Sequence, residues 1–283
     1  MEHSEPENQH LETLRRAGRG GNDVIDIANV ALALAALDHP GVDLSAYREH
    51  LADIVAATGQ TGSATGDAIA RATALRAGLY DAFGYGGDSD TYNDMQNADL
   101  IRVIDRRKGL PVALGILALH AARAQGWSIT GVNFPGHFLL RLDGHNGPGD
   151  GAGAIIDPFR AATVLTPPDL RRLIKSMAGA DAELDPAHVQ SVGDREILIR
   201  LQNNIKLRAL AAGDLARAVH VLETMVLVLP EEGRLTLELA AVMAEQGRLG
   251  AATDLLRELI DADNAGSYPE AQHLLETIRR RLN

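Results

Sequence analysis

The end of this chain repeats itself. A shift of 34 residues superimposes Gly213 on Gly247, Leu215 on Leu249, Ala218 on Ala252, Leu222 on Leu256 and Val226 on Ile260. A period of that length belongs to helix pairs stacked in one dimension, so residues 195–283 are restricted to an all-α array. Gly213 and Gly247 fit the tight turn inside each pair, where a left-handed backbone costs glycine little. Ala218 and Ala252 fit positions where neighbouring helices approach closely. Two such pairs and a last helix from about Pro269 fall short of the roughly three units that usually stand alone. The array is therefore expected to lean on whatever precedes it.

Residues 1–21 are polar and end in Gly18-Arg19-Gly20-Gly21, which reads as a flexible tail. From Asn22, apolar residues at helical spacing predict a first helix ending at Asp38-His39-Pro40, a second capped by Asp43, and a third through Leu75, Leu79 and Phe83. The stretch 58–66, rich in glycine, serine and threonine, separates the last two. Pro111 then opens a helix apolar on nearly every side, which predicts enclosure by the rest of the domain. Three strand-like runs follow, at Ser128–Phe134, His137–Leu142 and Ala154–Phe159, then a helix from Pro167. Residues 179–194 are polar and read as a linker. The expected fold class is α+β: a domain at 22–178 with a helical layer and a small antiparallel sheet, then helical repeats at 195–283.

Composition excludes several functions. The chain of 283 residues has no cysteine, which removes disulfides, thiolate metal sites and thiol nucleophiles together. Its net charge of −11 argues against a nucleic-acid partner. No apolar run approaches the ~20 residues that span a bilayer. The expectation is a cytoplasmic protein with neither nucleic-acid nor membrane partner. The histidines show no metal-ligand spacing, and the glycines from 144 to 153 read as a hairpin loop rather than a phosphate cradle, so no metal and no cofactor are expected. Arg102, Arg106, Arg107 and Lys108 read as a solvated basic face.

One pair of residues could carry chemistry. If Leu142 pairs with Ala152, His137 faces Asp157 across two strands, a separation that lets a carboxylate orient an imidazole. The same pair could equally be a buried hydrogen bond that satisfies two polar groups.

The strings Arg106-Arg107-Lys108-Gly109-Leu110-Pro111, Gly131-Val132-Asn133-Phe134-Pro135-Gly136-His137-Phe138 and Asp157-Pro158-Phe159 resemble the SirB-type family of bacterial proteins. Its members are transglutaminase-like domains followed by tetratricopeptide repeats, and Gly213-Asp214-Leu215…Ala218…Leu222…Pro230 resembles the second half of one such repeat. The resemblance implies a papain-like arrangement with His137 and Asp157 in the histidine and aspartate positions, and Asn133 and Gly136 beside the cleft. It also implies a cysteine at the start of the buried helix, two residues after Gly109, where this chain has Pro111. Val112 and Ala113 are no better, and Ser128 and Thr130 are the nearest hydroxyls by type. The expected function is that of a pseudoenzyme, binding a protein or peptide through residues 195–283 and through a vestigial His–Asp cleft. The alternative is a hydrolase or isopeptide-type enzyme using His137 and Asp157 with water or a hydroxyl.

Overall fold

The computed structural model describes residues 5–20, 24–61, 67–144, 153–263 and 266–282. The chain divides into two compact units, residues 1–10 with 22–197 and residues 11–21 with 198–283. The glycine-rich loop expected at 144–153 and the spacer expected at 58–66 fall largely outside the described residues.

In the first unit, α2 follows α1 (Glu5–Arg19) and covers Ile27–Ala36, where Asp26 accepts a hydrogen bond from the Asn29 amide as its cap. Next come α3 (Ser45–Thr61) and α4 (Ala68–Leu75). The expected third helix changes winding here, because Arg76–Asp81 is a π-helical turn. Gly78 sits inside it, and a side chain there would come within 2.5 Å of the Thr58 backbone on α3. The missing Cβ is what lets the two backbones meet.

A short parallel ladder joins β1 (Gly86–Gly87) to β2 (Lys108–Gly109), on either side of α5 (Leu100–Arg106). Arg107 ends α5 in the left-handed region at φ 58°. Pro111 then takes the first position of α6 (Pro111–Ala124), where its missing N–H costs nothing. As its composition predicts, α6 is enclosed: Leu114, Ile116, Leu117 and Leu119 have no exposed surface, each worth about 1.5–3 kcal/mol of burial.

The sheet contains β3 (Ile129–Phe134), β4 (His137–Leu142), β5 (Ala154–Asp157), β6 (Thr163–Leu165) and β7 (Ser191–Val192), in the antiparallel order β6-β5-β4-β3-β7. Helix α7 (Pro167–Ala178) starts at a capping box formed by Thr166 and Asp169. Two expectations are corrected here. Residues 179–194 do not behave as a linker: Ser191 and Val192 pair with Val132 and Gly131, and Ala182, Leu184 and Val189 pack against the core. Scattered apolar residues in a polar stretch are enough to close a sheet edge. Residues 5–19 are helical rather than a tail, and Leu14 and Ala17 are buried.

The second unit contains α8 (Asp194–Ala211) from Leu198, α9 (Leu215–Val228), α10 (Gly233–Glu245), α11 (Leu249–Ala262) and α12 (Pro269–Leu282). Helix α11 begins and ends 34 residues after α9. Gly213 and Gly247 adopt φ 73° and 85°, and Ala218 and Ala252 are fully buried, as the repeat demands. The later half of α1 belongs to this unit, with Gly18 against the Leu227 carbonyl. That helix supplies the array with cover the repeat pattern did not reveal.

Candidate functional site

The side to which His137 points follows from strand alternation. Gly115 on α6 lies so close to Phe138 that a Cβ there would stand 2.4 Å from the ring, so Phe138 faces α6. Its neighbour His137 leaves from the opposite face. On that face Leu139 packs with Val132, Phe134, Leu170 and Ile174, the last two from α7.

The register of β4 and β5 differs from expectation. Leu142 pairs with Ala154, not Ala152, so Asp157 lies opposite Leu139 rather than His137. The displacement is even, so Asp157 stays on the same face, and the imidazole spans the diagonal. His137 Nε2 lies 3.2 Å from Asp157 Oδ2.

Asp157 is 2% exposed, and a carboxylate that deep needs partners. Oδ1 accepts the Phe159 amide at 2.9 Å, and the Arg160 guanidinium stands 3.7 Å from Oδ2. Beside it the Tyr80 hydroxyl donates to the Pro158 carbonyl at 2.8 Å. Burial, and then the charge on Asp157, raise the pKa of that hydroxyl far above its ordinary value. It is a fixed donor, not a base. Phe159 lies against Gly87 and meets Tyr92 edge-on at 5.8 Å.

The remaining candidates do not gather round this pair. Pro111, Val112 and Ala113 are buried at the start of α6. Asn133 pairs with Phe138 in the ladder, so its side chain leaves from the face opposite His137 and is exposed. Gly136 occupies the turn at φ 65°, against Met177 of α7. Ser128 donates to Asp143 at 2.6 Å. Thr130 shares the face of His137, but lies four residues along β3 from Phe134, the ladder partner of His137. That is roughly 13 Å at ~3.3 Å per residue. Thr163 pairs with Asp157 in the ladder and donates to the Arg160 carbonyl at 2.5 Å. Because β5 lies between β6 and β4, the order is hydroxyl, carboxylate, imidazole. General-base activation needs the imidazole in the middle.

Asp157 also lines a cleft of about 300 Å³, together with Thr163, Val164 and Leu165 of β6 and Asp169, Arg172, Leu173 and Ser176 of α7. Among the described residues no group of three or more His, Asp or Glu could hold a metal ion. No helix there is long and apolar enough to cross a membrane.

Two of the arginines read as a solvated face, Arg106 and Arg107, make structural contacts instead. Arg106 meets buried Asp88 at 2.7 Å and Asn97 at 2.9 Å. Arg107 lies over the Tyr85 ring at 5.0 Å, donates to its hydroxyl at 2.7 Å, and reaches His50. Burial pushes the Tyr85 hydroxyl up to about 12 despite that cation. Burial and the Arg107 charge lower the pKa of His50. The signal for these contacts was composition: an arginine run next to a buried helix has acidic and aromatic partners nearby at Asp88 and Tyr85.

Comparison with known proteins agrees with this architecture. A family model described as the transglutaminase-like superfamily matches residues 45–203, and a tetratricopeptide repeat model matches 209–278. A UPF0162 protein of Xylella fastidiosa is 26% identical over 265 residues, covering 92% of this chain and 90% of that protein. A UPF0162 protein of Vibrio cholerae is 31% identical over 178 residues, 63% of this chain and 64% of its own. F-box only protein 21 of Homo sapiens is 40% identical over 63 residues, 22% of this chain and 10% of that protein. No solved structure matches.

Proposed function

The chain belongs to the transglutaminase-like superfamily, and from that premise we propose that it is a non-catalytic member, acting as a protein-interaction or regulatory module through its helical repeats. One observation carries the reading: Pro111, which opens the buried helix α6, offers no nucleophilic atom. A thioester cannot form on a chain without sulfhydryl groups. The His137–Asp157 bond then serves to satisfy a buried carboxylate. The narrower assignment to the SirB-type family and a cytoplasmic setting belong to the same proposal.

The test has two arms. Incubation with p-nitrophenyl acetate and a peptide-amide library gives no turnover above buffer, for the parent and for His137→Ala alike. Turnover by the parent that His137→Ala abolishes favours the rival hydrolase and overturns this reading. In the second arm, partners cross-linked to the parent in cells are compared with those of Leu207→Glu, a change at a leucine 60% exposed on α8. Loss of partners supports a repeat-borne interface; an unchanged set counts against it.

A further inference from the structure

The cleft beside Asp157 has a specific construction. Three consecutive residues of β6, Thr163, Val164 and Leu165, line one side. Successive side chains on a strand point to opposite faces, so three in a row along one cleft bring the strand's backbone to it as well as its side chains. β6 is the terminal strand of its sheet, and among the described residues no strand neighbours that edge. The other wall is one face of α7, since Asp169, Arg172, Leu173 and Ser176 recur at i, i+3, i+4 and i+7. An edge strand facing a helix across a groove can take a further strand, with main-chain hydrogen bonds on one side and side-chain pockets on the other.

The charge at the mouth selects the guest. Arg160 and Arg172 have side chains 71% and 79% exposed, while their nearest acidic partners are engaged elsewhere. Asp157 holds His137 and the Phe159 amide, and Asp169 holds Thr166. The two arginine–aspartate contacts are long, 3.7 and 3.4 Å, and exposed pairs of that kind are weak and easily exchanged. The same cleft offers aliphatic surface from Val164 and Leu165 on one side and Leu173 on the other.

We propose that the groove between β6 and α7 binds an extended peptide as an added strand, with an aspartate or glutamate side chain held by Arg160 and Arg172 and an aliphatic side chain on that aliphatic surface. The contact is about three residues long, roughly 10 Å of strand. This surface lies within the first unit and does not depend on the repeats being an interface.

The probe is a displayed library of nine-residue peptides selected on the full chain, with winners remade as fluorescent peptides. Expected winners pair an aliphatic residue with Asp or Glu. Replacing that acid with its amide weakens binding about tenfold, as does Arg172→Glu. Ser176→Trp, which fills the groove from an exposed position, abolishes binding, and bound peptide slows amide exchange at residues 163–165. The proposal is overturned if no peptide is enriched, if winners lack a carboxylate, or if Ser176→Trp leaves binding intact. It is also overturned by a concentration-dependent dimer that Ser176→Trp dissolves, which would assign the groove to a second copy of the chain.

Discussion

Gly115 shows how much one missing carbon decides. A Cβ on it would stand 2.4 Å from the ring of Phe138, which is 2% exposed and cannot swing aside. Alanine there gains helix propensity of about 1 kcal/mol, yet overpacking costs about 1–3 kcal/mol. Gly115→Ala is expected to lower the urea midpoint, and Phe138→Leu in that background to cost less than Phe138→Leu alone. Additive losses would mean that the ring is not what excludes the methyl. His50 makes a second case at this scale. Its pKa is lowered in the fold by burial and by Arg107, so the unfolded chain binds the proton more readily near pH 6.5. The stability it contributes is present above that pH and is lost as pH falls toward the folded value. His10 and His120 are shifted the same way, so the parent is expected to lose more stability between pH 7.5 and 5.5 than His50→Gln does. Equal losses in urea titrations would remove His50 from the account.

Elements were legible in the sequence to very different degrees. The buried helix after Pro111 and the helices at 215–228 and 249–262 were written in composition and period, because each must bury a fixed set of side chains. The strands at 129–134 and 137–142 were legible through alternation and the Pro135-Gly136 turn. β6 and β7 were not, since two or three residues carry no periodicity and gain their place from pairing alone. The helix at 5–19 was hidden by its polarity, although Leu14 and Ala17 carried the spacing. Within the candidate site, the His137–Asp157 contact was legible but the register that makes it was not, because a glycine-rich loop does not fix strand pairing. The helix pair α8–α10 offers a test. Lys206 is 6% exposed and meets Glu238 at 2.6 Å, while Glu238 keeps 37% of its surface. Glu238→Gln leaves a buried ammonium without its counter-charge, a loss below the about 3–5 kcal/mol of a fully buried pair. Lys206→Met keeps the stem and frees a carboxylate that water can reach, so it is expected to cost less than half as much by chemical denaturation. The reverse ranking would show that Glu238, not Lys206, bears the desolvation.

At the scale of the molecule, sequence arithmetic bounded chemistry better than shape. Absence of cysteine removed every thiol-based mechanism without any coordinates. That residues 11–21 count with the second unit could not be read in advance. It is set by contacts distant in sequence, such as that of Gly18 with Leu227.

A sheet clothed differently on its two sides has a genetic consequence. Phe138, Leu140 and Leu142 answer to α6 and its tight packing, so drift there is punished wherever the chain must fold. His137, Asp157 and the β6 edge answer to whatever occupies the α7 side. A lineage could therefore retire one trade and take up another on that side while the inner one stays fixed, letter by letter, as the price of remaining folded.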